Sequence, residues 1–258
     1  MNPDLSSLAY LLGLTYNGGH ELIGERDGVV VRLDVEATEF GFAAQIPARG
    51  FGETVGLRSI ADLFEVQELV GRPLRLDRGW LTLRDGQPPE ETLALLVRAA
   101  RAAAAWWRRP VTQLVERHAL RTNDDLSQLW GEVRGRPVEI TEARRRDGVV
   151  GVTVRADLPE EWAAVRLVRP SDDDPPVRVG DPILDRRIAA TGLGPDGAAA
   201  LRGDTAREAL LAVLYDHGGM VRAGTVYAFG DTLRDAVRAE RMLRDTVDLA
   251  VALAASKP

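Results

Sequence analysis

The sequence predicts an α+β protein that contains the same α-β-β-β-α-β-β-α unit twice, with antiparallel sheets flanked by helices. The first observation is a repeated pentapeptide, RDGVV, which occurs at Arg26–Val30 and again at Arg146–Val150. The second is that segments with matching apolar patterns follow one another in the same order around both copies. Together they indicate a tandem repeat whose second copy is enlarged by an insertion at about residues 170–204.

The repeat extends beyond the pentapeptide in both directions. Apolar residues meet apolar residues in each aligned pair of segments. The pairs are Ser7–Gly13 with Asp125–Gly131, His20–Glu25 with Val138–Ala143, Arg26–Val30 with Arg146–Val150, Phe42–Ile46 with Trp162–Arg166, and Arg78–Leu83 with Ala223–Ala228. In this alignment the Asp-Gly turn of RDGVV leads into the same strand of both units. A shared order and a shared apolar pattern favour duplication over coincidence.

The first unit, residues 1–107, is predicted to begin with an amphipathic helix that ends at Gly13. Asp27-Gly28 lies between alternating apolar residues and predicts a hairpin, because a type I′ turn requires positive φ. The other elements follow from strand and helix periodicity. They are strands at His20–Glu25, Val29–Val35 and Phe40–Ile46, a helix at Leu57–Gly71, a hairpin at Leu74–Leu83 and a closing helix at Pro88–Trp107.

Residues 108–124 join the copies and are predicted to contain a helix of their own, over VTQLVERHAL. The second unit, residues 125–258, repeats the pattern, with Asp147-Gly148 as a hairpin turn. Its elements are a helix ending at Gly131, strands at Val138–Ala143 and Val149–Arg155, a helix at Thr205–Gly219, a hairpin at Met220–Phe229 and a closing helix at Thr232–Ala255. The insertion adds the loop SDDDPP, a strand at Asp181–Thr191 and a small helix rich in glycine and alanine.

Composition removes several classes of chemistry. The chain has no cysteine, which excludes disulfides, thiol nucleophiles and thiolate metal sites. Its only lysine is Lys257, which excludes a P-loop and an internal Schiff base. His20, His118 and His217 form no metal-binding motif, and no serine stands in a G-x-S-x-G frame. We therefore expect no catalytic residue, no cofactor and no metal site.

Charge and hydropathy limit the partners. The net charge of −6 disfavours binding driven by phosphate neutralisation, so no nucleic-acid partner is expected. No run approaches the roughly 18 apolar residues that a transmembrane helix needs. Asp4 lies where a secretory signal would carry positive charge. We therefore expect no membrane insertion and a cytoplasmic location, with the oligomeric state open between monomer and homodimer.

The segment Val177–Ala190 concentrates charge within the insertion and is the predicted partner-binding surface. Asp181 and Asp185 stand four positions apart. Three arginines accompany them, at Arg178, Arg186 and Arg187. Pairs between these acids and arginines would order the insertion and present it to a protein partner. The two acids could instead bind Mg²⁺, although four positions along an extended strand separate them by about 13 Å.

Trp107 is a further candidate for partner binding. It follows Trp106 near the end of the first unit's closing helix. Adjacent helical residues point about 100° apart, so two neighbouring indoles rarely enter the same core. We expect one of them to pack under the sheet and the other to contact the second copy or a partner protein.

The leading hypothesis is a non-catalytic protein-binding or adaptor protein that is pseudo-dimeric within one chain. The first alternative is a metal-dependent enzyme that uses the carboxylates and arginines around Asp181 and Asp185. The second alternative is a structural subunit of a larger bacterial assembly. The sequence supplies neither a nucleophile nor a phosphate loop, which favours the leading hypothesis.

Two resemblances add to this interpretation. The segment V-G-D-P-x-x-D-R-R at Val179–Arg187 resembles a signature of uncharacterised bacterial α+β proteins, in which a strand reads roughly Val-Gly-Asp-x-x-Phe-Asp. This likeness extends from Val177 to about Thr232 and implies a recurrent module with no known activity. The order of helices and strands resembles the type III secretion chaperone fold and YbjN-like proteins. That likeness implies a chaperone-like binder of the kind that works as a dimer, here fused into one chain.

Overall fold

The computed structural model describes residues 5–17, 19–35, 40–48, 70–72, 74–85, 88–144, 150–171, 179–256 and 258. The chain divides into two compact units, residues 1–109 and 110–258. Each has its own antiparallel sheet, six-stranded in the first unit and eight-stranded in the second, so the predicted α+β class is confirmed. The predicted turn at Asp147-Gly148, and all but the last two residues of the predicted helix Leu57–Gly71, lie outside the described residues.

The first unit is a twisted sheet with helices at both ends of its chain segment. Its elements are α1 (Leu5–Leu12), β1 (Thr15–Tyr16), β2 (Glu21–Arg26), β3 (Val29–Val35), β4 (Phe40–Gln45), β5 (Arg75–Asp77), β6 (Trp80–Asp85) and α2 (Pro89–His118). The strand order is β1-β2-β3-β4-β6-β5. In β3, Val31 and Leu33 are buried while Arg32 between them is exposed, as alternation along a strand requires. The buried side shares one core with Leu93 and Leu96 of α2.

The second unit has a longer sheet that is covered by a C-terminal helix. Its elements are β7 (Arg121–Thr122), β8 (Gln128–Val133), β9 (Arg136–Arg144), β10 (Val150–Asp157), β11 (Arg166–Val168), β12 (Ala189–Thr191), α3 (Pro195–Leu201), α4 (Asp204–Leu211), β13 (Met220–Arg222), β14 (Thr225–Gly230) and α5 (Ala236–Ala254). A π-helical turn, Ala212–Asp216, continues α4. Met242 and Leu249 of α5 share a core with Val152 of β10 and Ala228 of β14.

The two sheets repeat one topology. The order β1-β2-β3-β4-β6-β5 corresponds to β7-β8-β9-β10-β14-β13, and β11 and β12 extend the second sheet beyond β13. Tight turns with two positive φ angles recur at equivalent hairpins. These turns are Asp27-Gly28 and Arg134-Gly135 in one pair, and Arg78-Gly79 and Ala223-Gly224 in the other. The predicted tandem arrangement is therefore present at the level of strand order and turn geometry.

An equivalent close contact between backbone and leucine also recurs. A Cβ added at Gly24 of β2 would lie 2.7 Å from Cδ2 of Leu14, and one added at Gly131 of β8 would lie 3.0 Å from Cδ2 of Leu120. Both leucines follow a helix end and donate their backbone N–H to the carbonyl five residues earlier, at 2.9 and 3.0 Å. Two independent contacts thus place β2 and β8 at the same position of the unit.

The predicted helix over Asp125–Gly131 is wrong, because most of this segment belongs to β8 and the turn before it. Oδ1 of Asn123 accepts the backbone N–H of Ser127 at 3.0 Å, which closes a tight turn in place of a helical one. Leu129 is then fully buried while Trp130 is 40% exposed. That alternation is the period of a strand, and the apolar spacing resembled a helix over too few residues to separate the two.

The two copies of the pentapeptide lie at different positions of the structural repeat: the first leads into β3, and the second leads into β10. Arg26–Val30 crosses the turn from β2 to β3, whereas Val150, the last residue of the second pentapeptide, begins β10, the equivalent of β4. The turn equivalent to Asp27-Gly28 is Arg134-Gly135. The identity of letters between the two copies of RDGVV therefore does not mark equivalent positions.

The predicted closing helix of the first unit and the predicted joining helix are one continuous helix, α2. Pro110 lies inside it, at the boundary between the two compact units. Ala100 and Ala103 of α2 belong to the first core, whereas Val111 belongs to the second. Although α2 spans 30 residues, neither it nor another helix in the described ranges combines the length and apolarity needed to cross a bilayer.

Candidate functional site

The insertion is held in place by Asp181. Oδ1 of Asp181 accepts the backbone N–H of Ile183 at 2.8 Å and of Leu184 at 3.1 Å. Nη1 of Arg207 donates to Oδ2 at 3.2 Å. The hydrogen bond from Leu184 is the largest cause that holds the pKa of the Asp181 carboxyl below its ordinary value, with Ile183 and Arg207 adding to it and burial opposing it. The Asp181 carboxylate is therefore a structural anchor.

Asp185 orders the same turn from its other side. Its backbone N–H donates to the carbonyl of Asp181 at 2.8 Å, and its Oδ1 accepts the N–H of Val179 at 2.6 Å. The predicted strand Asp181–Thr191 is therefore wrong except for β12 at its end. An aspartate that caps the N–H groups ahead of it favours a turn over extended backbone, and Pro182 after it lacks an N–H for a strand.

The carboxylates of Asp181 and Asp185 already accept hydrogen bonds from the protein itself. Within the described ranges, no group of three or more His, Asp or Glu side chains is arranged to hold a metal ion. The acid–arginine pairing that was predicted to order the insertion takes the form of Asp181 with Arg207, an arginine of α4. Arg207 lies outside the predicted segment. It is 26 residues from Asp181 in the chain, so no local sequence motif indicates the pair.

The turn around Asp181 is amphipathic. Asp181, Leu184 and Ile188 are buried, whereas Arg186 and Arg187 are exposed and Ile183 is 49% exposed. Ile188 donates its N–H to the carbonyl of Leu184 at 3.0 Å, so the backbone follows a helical turn here. Residues four apart share one face of such a turn. Ile183 and Arg187 therefore lie on the outer face.

Tyr215 joins this outer face to the π-helical turn. Its hydroxyl donates to the backbone carbonyl of Arg187 at 2.8 Å. Tyr215 as a whole residue is 38% exposed. The guanidinium carbon of Arg169 lies 4.7 Å from the ring centroid, and that of Arg187 lies 5.7 Å from it. Both distances are within the range of cation–π contact. We call Arg169, Ile183, Arg186, Arg187 and Tyr215 the arginine–tyrosine patch.

Arg169 is held firmly within the arginine–tyrosine patch. Its Nε donates to the carbonyl of Leu214 at 2.5 Å and its Nη2 to the carbonyl of Tyr215 at 2.8 Å. Carbonyls at the end of a helix lack intrahelical partners, so an arginine that binds them satisfies the backbone and fixes its own position. The guanidinium is thereby oriented before any partner binds.

An open groove of about 580 Å³ borders the patch. It contains two residues of the patch, several residues of the π-helical turn and the residues at the end of β14. The residues that line it are Thr153, Arg169, Tyr215, Asp216, His217, Gly218, Phe229, Gly230, Asp231 and Arg238. The ring of Phe229 stacks on Tyr227 with centroids 6.5 Å apart, which supplies an aromatic surface next to the groove.

A buried His–Asp pair adjoins the groove, whose lining includes His217. Nε2 of His217 lies 3.0 Å from Oδ2 of Asp245, and both residues are buried. Nε2 is therefore the ring nitrogen that forms the hydrogen bond with this carboxylate. Arg244 and Arg241 also contact the Asp245 carboxylate, at 3.2 and 3.5 Å. The sequence placed His217 at a helix end, but its partner lies 28 residues away on another helix and left no motif.

Gly219 permits the tight passage from the π-helical turn into β13. A Cβ added at Gly219 would lie 2.0 Å from the carbonyl oxygen of Tyr227 and 2.9 Å from that of Val213. Gly218 before it has a φ of +60° and open space around its Cβ position. The sequence His217-Gly218-Gly219 therefore combines a helix end with a position where only glycine fits.

The structure brings four of the predicted site residues together and separates a fifth. Asp181, Asp185, Arg186 and Arg187 belong to the single turn described above. Trp107 is 7% exposed and belongs to the core of the first unit, so its indole offers little surface to a partner. Arg178 lies outside the described residues.

Sequence reasoning found the insertion but missed the residues that complete the site. Arg169, Tyr215 and His217 come from segments without a recognisable motif, and they meet only because β11, the π-helical turn and β14 adjoin. A comparison with known proteins yields no further guide. No protein-family model, curated protein or solved structure matches the chain.

Proposed function

We propose that this chain is a non-catalytic protein-binding protein, an adaptor or chaperone-like module, whose second unit makes the main contact. The observation that carries the proposal is the arginine–tyrosine patch, in which Ile183, Tyr215 and three arginines form an exposed and pre-ordered surface beside a groove. Tyrosine and arginine are the residue types enriched at the centres of protein interfaces. A pre-ordered surface loses little side-chain entropy when a partner binds.

The anchoring of the insertion supports this role. Asp181, Leu184 and Ile188 face inward, so the outward residues are presented on a fixed backbone. The exposed face carries a branched apolar side chain, Ile183, between charged neighbours. A mixed apolar and charged surface of this kind is typical of a contact that forms between proteins already folded.

The metal-dependent alternative has weaker support. Each of the two carboxylates on which it depends accepts a backbone N–H, and Asp181 also accepts from Arg207. A site for Mg²⁺ usually keeps carboxylate oxygens and waters in octahedral geometry. If the enzyme alternative holds, calorimetry will show millimolar or tighter binding of Mg²⁺ or Mn²⁺ that Asp185→Asn abolishes.

The structural-subunit alternative predicts instead a large homo-oligomer by light scattering.

Site-specific photo-crosslinking tests the proposed function. A photoreactive amino acid at Ile183 of the full chain, irradiated in an extract of the source organism, should yield a defined crosslinked protein. The same probe at Val237, which is 81% exposed at the start of α5, is the matched control. Deleting residues 170–203 is unsuitable as a test, because Leu184 and Ile188 lie in the core.

The expected result is one crosslinked product with the probe at position 183 and none with the probe at position 237. The product should disappear when Arg187→Glu is added to the chain that carries the probe at 183. Arg187→Glu should leave the fold intact, because Tyr215 bonds to the backbone of residue 187 and the side chain is exposed. An equal pattern at both positions, or no crosslink at 183, would overturn the proposal.

A further inference from the structure

We infer that the partner segment that binds the arginine–tyrosine patch is acidic: a peptide stretch that carries aspartate or glutamate next to an apolar side chain. This inference rests on the proposed function and names the chemistry of its partner. Its starting point is a local charge imbalance. The chain as a whole has a net charge of −6, yet Arg169 and Arg187 both lie against the ring of Tyr215, and Arg186 is exposed on the same turn as Arg187.

The described carboxylates near the patch pair with other arginines. Among the described residues, the ion pairs involve other cations: Asp181 and Asp204 pair with Arg207, Asp231 with Arg238, and Asp216 with Arg241. None of the ion pairs formed in this part of the chain includes Arg169, Arg186 or Arg187. Among the described residues, Arg238 of the groove therefore has a carboxylate partner, whereas the arginines of the patch form no ion pair.

The geometry suits a carboxylate. The Nε and Nη2 atoms of Arg169 donate to carbonyls of the protein, which leaves Nη1 able to donate outward. Arg187 lies on the same tyrosine ring, and its guanidinium contacts no described carboxylate. A planar guanidinium held against an aromatic ring recognises carboxylates in a fixed orientation. Two such groups beside one ring would receive one or two acidic side chains.

The apolar part of the ligand has a place as well. Ile183 is 49% exposed, and Phe229 lines the adjoining groove. Acidic residues interleaved with apolar ones would therefore pair charge with charge and apolar surface with apolar surface. A bare run of phosphates fits less well, because it has no apolar group to cover Ile183 and Phe229.

Fluorescence anisotropy with a labelled peptide tests the inference. The probe is a fluorescein-labelled short peptide of alternating glutamate and phenylalanine, and its control has glutamine in place of glutamate. The intact chain should bind the glutamate peptide and not the glutamine peptide. Binding should weaken as salt is raised, since exposed charges are screened.

A pair of charge-reversal variants locates the site. Arg187→Glu should weaken binding of the glutamate peptide about tenfold or more, because a hydrogen bond between charged groups is replaced by repulsion. Arg222→Glu is the matched control. Arg222 is also exposed, but it is the last residue of β13 and pairs with Arg166 and Thr225, outside the patch. The affinity of this variant should equal that of the unchanged chain.

Three results would overturn the acidic-peptide inference: equal binding of both peptides, equal loss in the two variants, or tighter binding of a labelled single-stranded oligonucleotide than of the peptide. The crosslinking experiment at Ile183 separates this failure from that of the proposed function. A crosslinked protein together with no preference for glutamate would leave protein binding standing and remove the acidic partner. If both experiments fail, the proposed protein-binding function and the acidic-partner inference are both wrong.

Discussion

At Asp181 one carboxylate accepts three hydrogen bonds and determines the conformation of the whole turn. The sequence could identify this residue as important, because an acid before proline among arginines is conspicuous. It could not identify the role, because the donors are two backbone N–H groups and an arginine of another helix. At this scale the prediction located the residue and misjudged its conformation.

The lowered pKa of Asp181 makes its contribution to stability dependent on pH. Its pKa in the folded chain lies below the ordinary 3.8, so the stabilisation is complete above the pKa of the unfolded chain and is lost as pH falls through the folded pKa. We expect Asp181→Asn to lower the free energy of unfolding at neutral pH and to differ less from the unchanged chain in acid. Urea titrations at a series of pH values measure this, and a constant difference at every pH would contradict it.

Gly218 and Gly219 provide a test of close packing. Gly219→Ala should lower the free energy of unfolding by about 3 kcal/mol, because its Cβ would overlap backbone oxygens that belong to β14 and the π-helical turn. Gly218→Ala is the control and should cost only about 1 kcal/mol, since it has space but a positive φ. Chemical denaturation measures both. Equal costs at the two positions would show that strain, not overlap, is decisive.

At the level of elements, strands were easier to predict than the connections between them. Most predicted strands agree with the structure within about two residues, because Asp-Gly turns and alternating apolar residues are short-range signals. The segment Asp125–Gly131 was predicted as a helix because a few apolar residues fit both periods. The π-helical turn could not be predicted, since the contact beside it, between His217 and Asp245, joins residues that are far apart in the chain.

The pair of His217 and Asp245 ties the π-helical turn to α5. Asp245→Ala should lower the free energy of unfolding by about 3 kcal/mol, because it leaves a buried imidazole without its acceptor. Asp248→Ala, on the same helix, removes a more exposed ion pair with Arg134 and should cost less than about 1 kcal/mol. Thermal unfolding of both variants decides. A larger loss in Asp248→Ala would show that the buried pair is not the link between the two elements.

At the level of the whole molecule, the predicted two-unit arrangement agrees with the structure, although four of the five aligned pairs of segments do not join equivalent elements. The pairing of Arg78–Leu83 with Ala223–Ala228 holds, since both segments cross the same hairpin. The pairing of the two RDGVV segments does not, because the turn equivalent to Asp27-Gly28 is Arg134-Gly135, which shares only the glycine. Strand order and backbone contacts preserve the relationship better than residue identity does.

The duplication predicts matching responses to matching mutations. Gly24→Ala and Gly131→Ala each place a Cβ against an equivalent leucine, so each should destabilise its own sheet by about 2 kcal/mol, with Gly24 more sensitive. The double variant should show the sum, because the two sites belong to different compact units. Denaturation of the three variants measures this. Tolerance at one position and unfolding at the other would contradict the equivalence of β2 and β8.

The continuity of α2 has a consequence for how this gene can be divided. The backbone stays helical across Arg109 and Pro110. A fragment boundary placed between the compact units would therefore cut through a helix and not through a flexible linker. A fragment that starts at residue 110 would keep only residues 110–118 of that helix, too few to stay helical without packing. Expression fragments should therefore overlap, each retaining residues 89–118 in full.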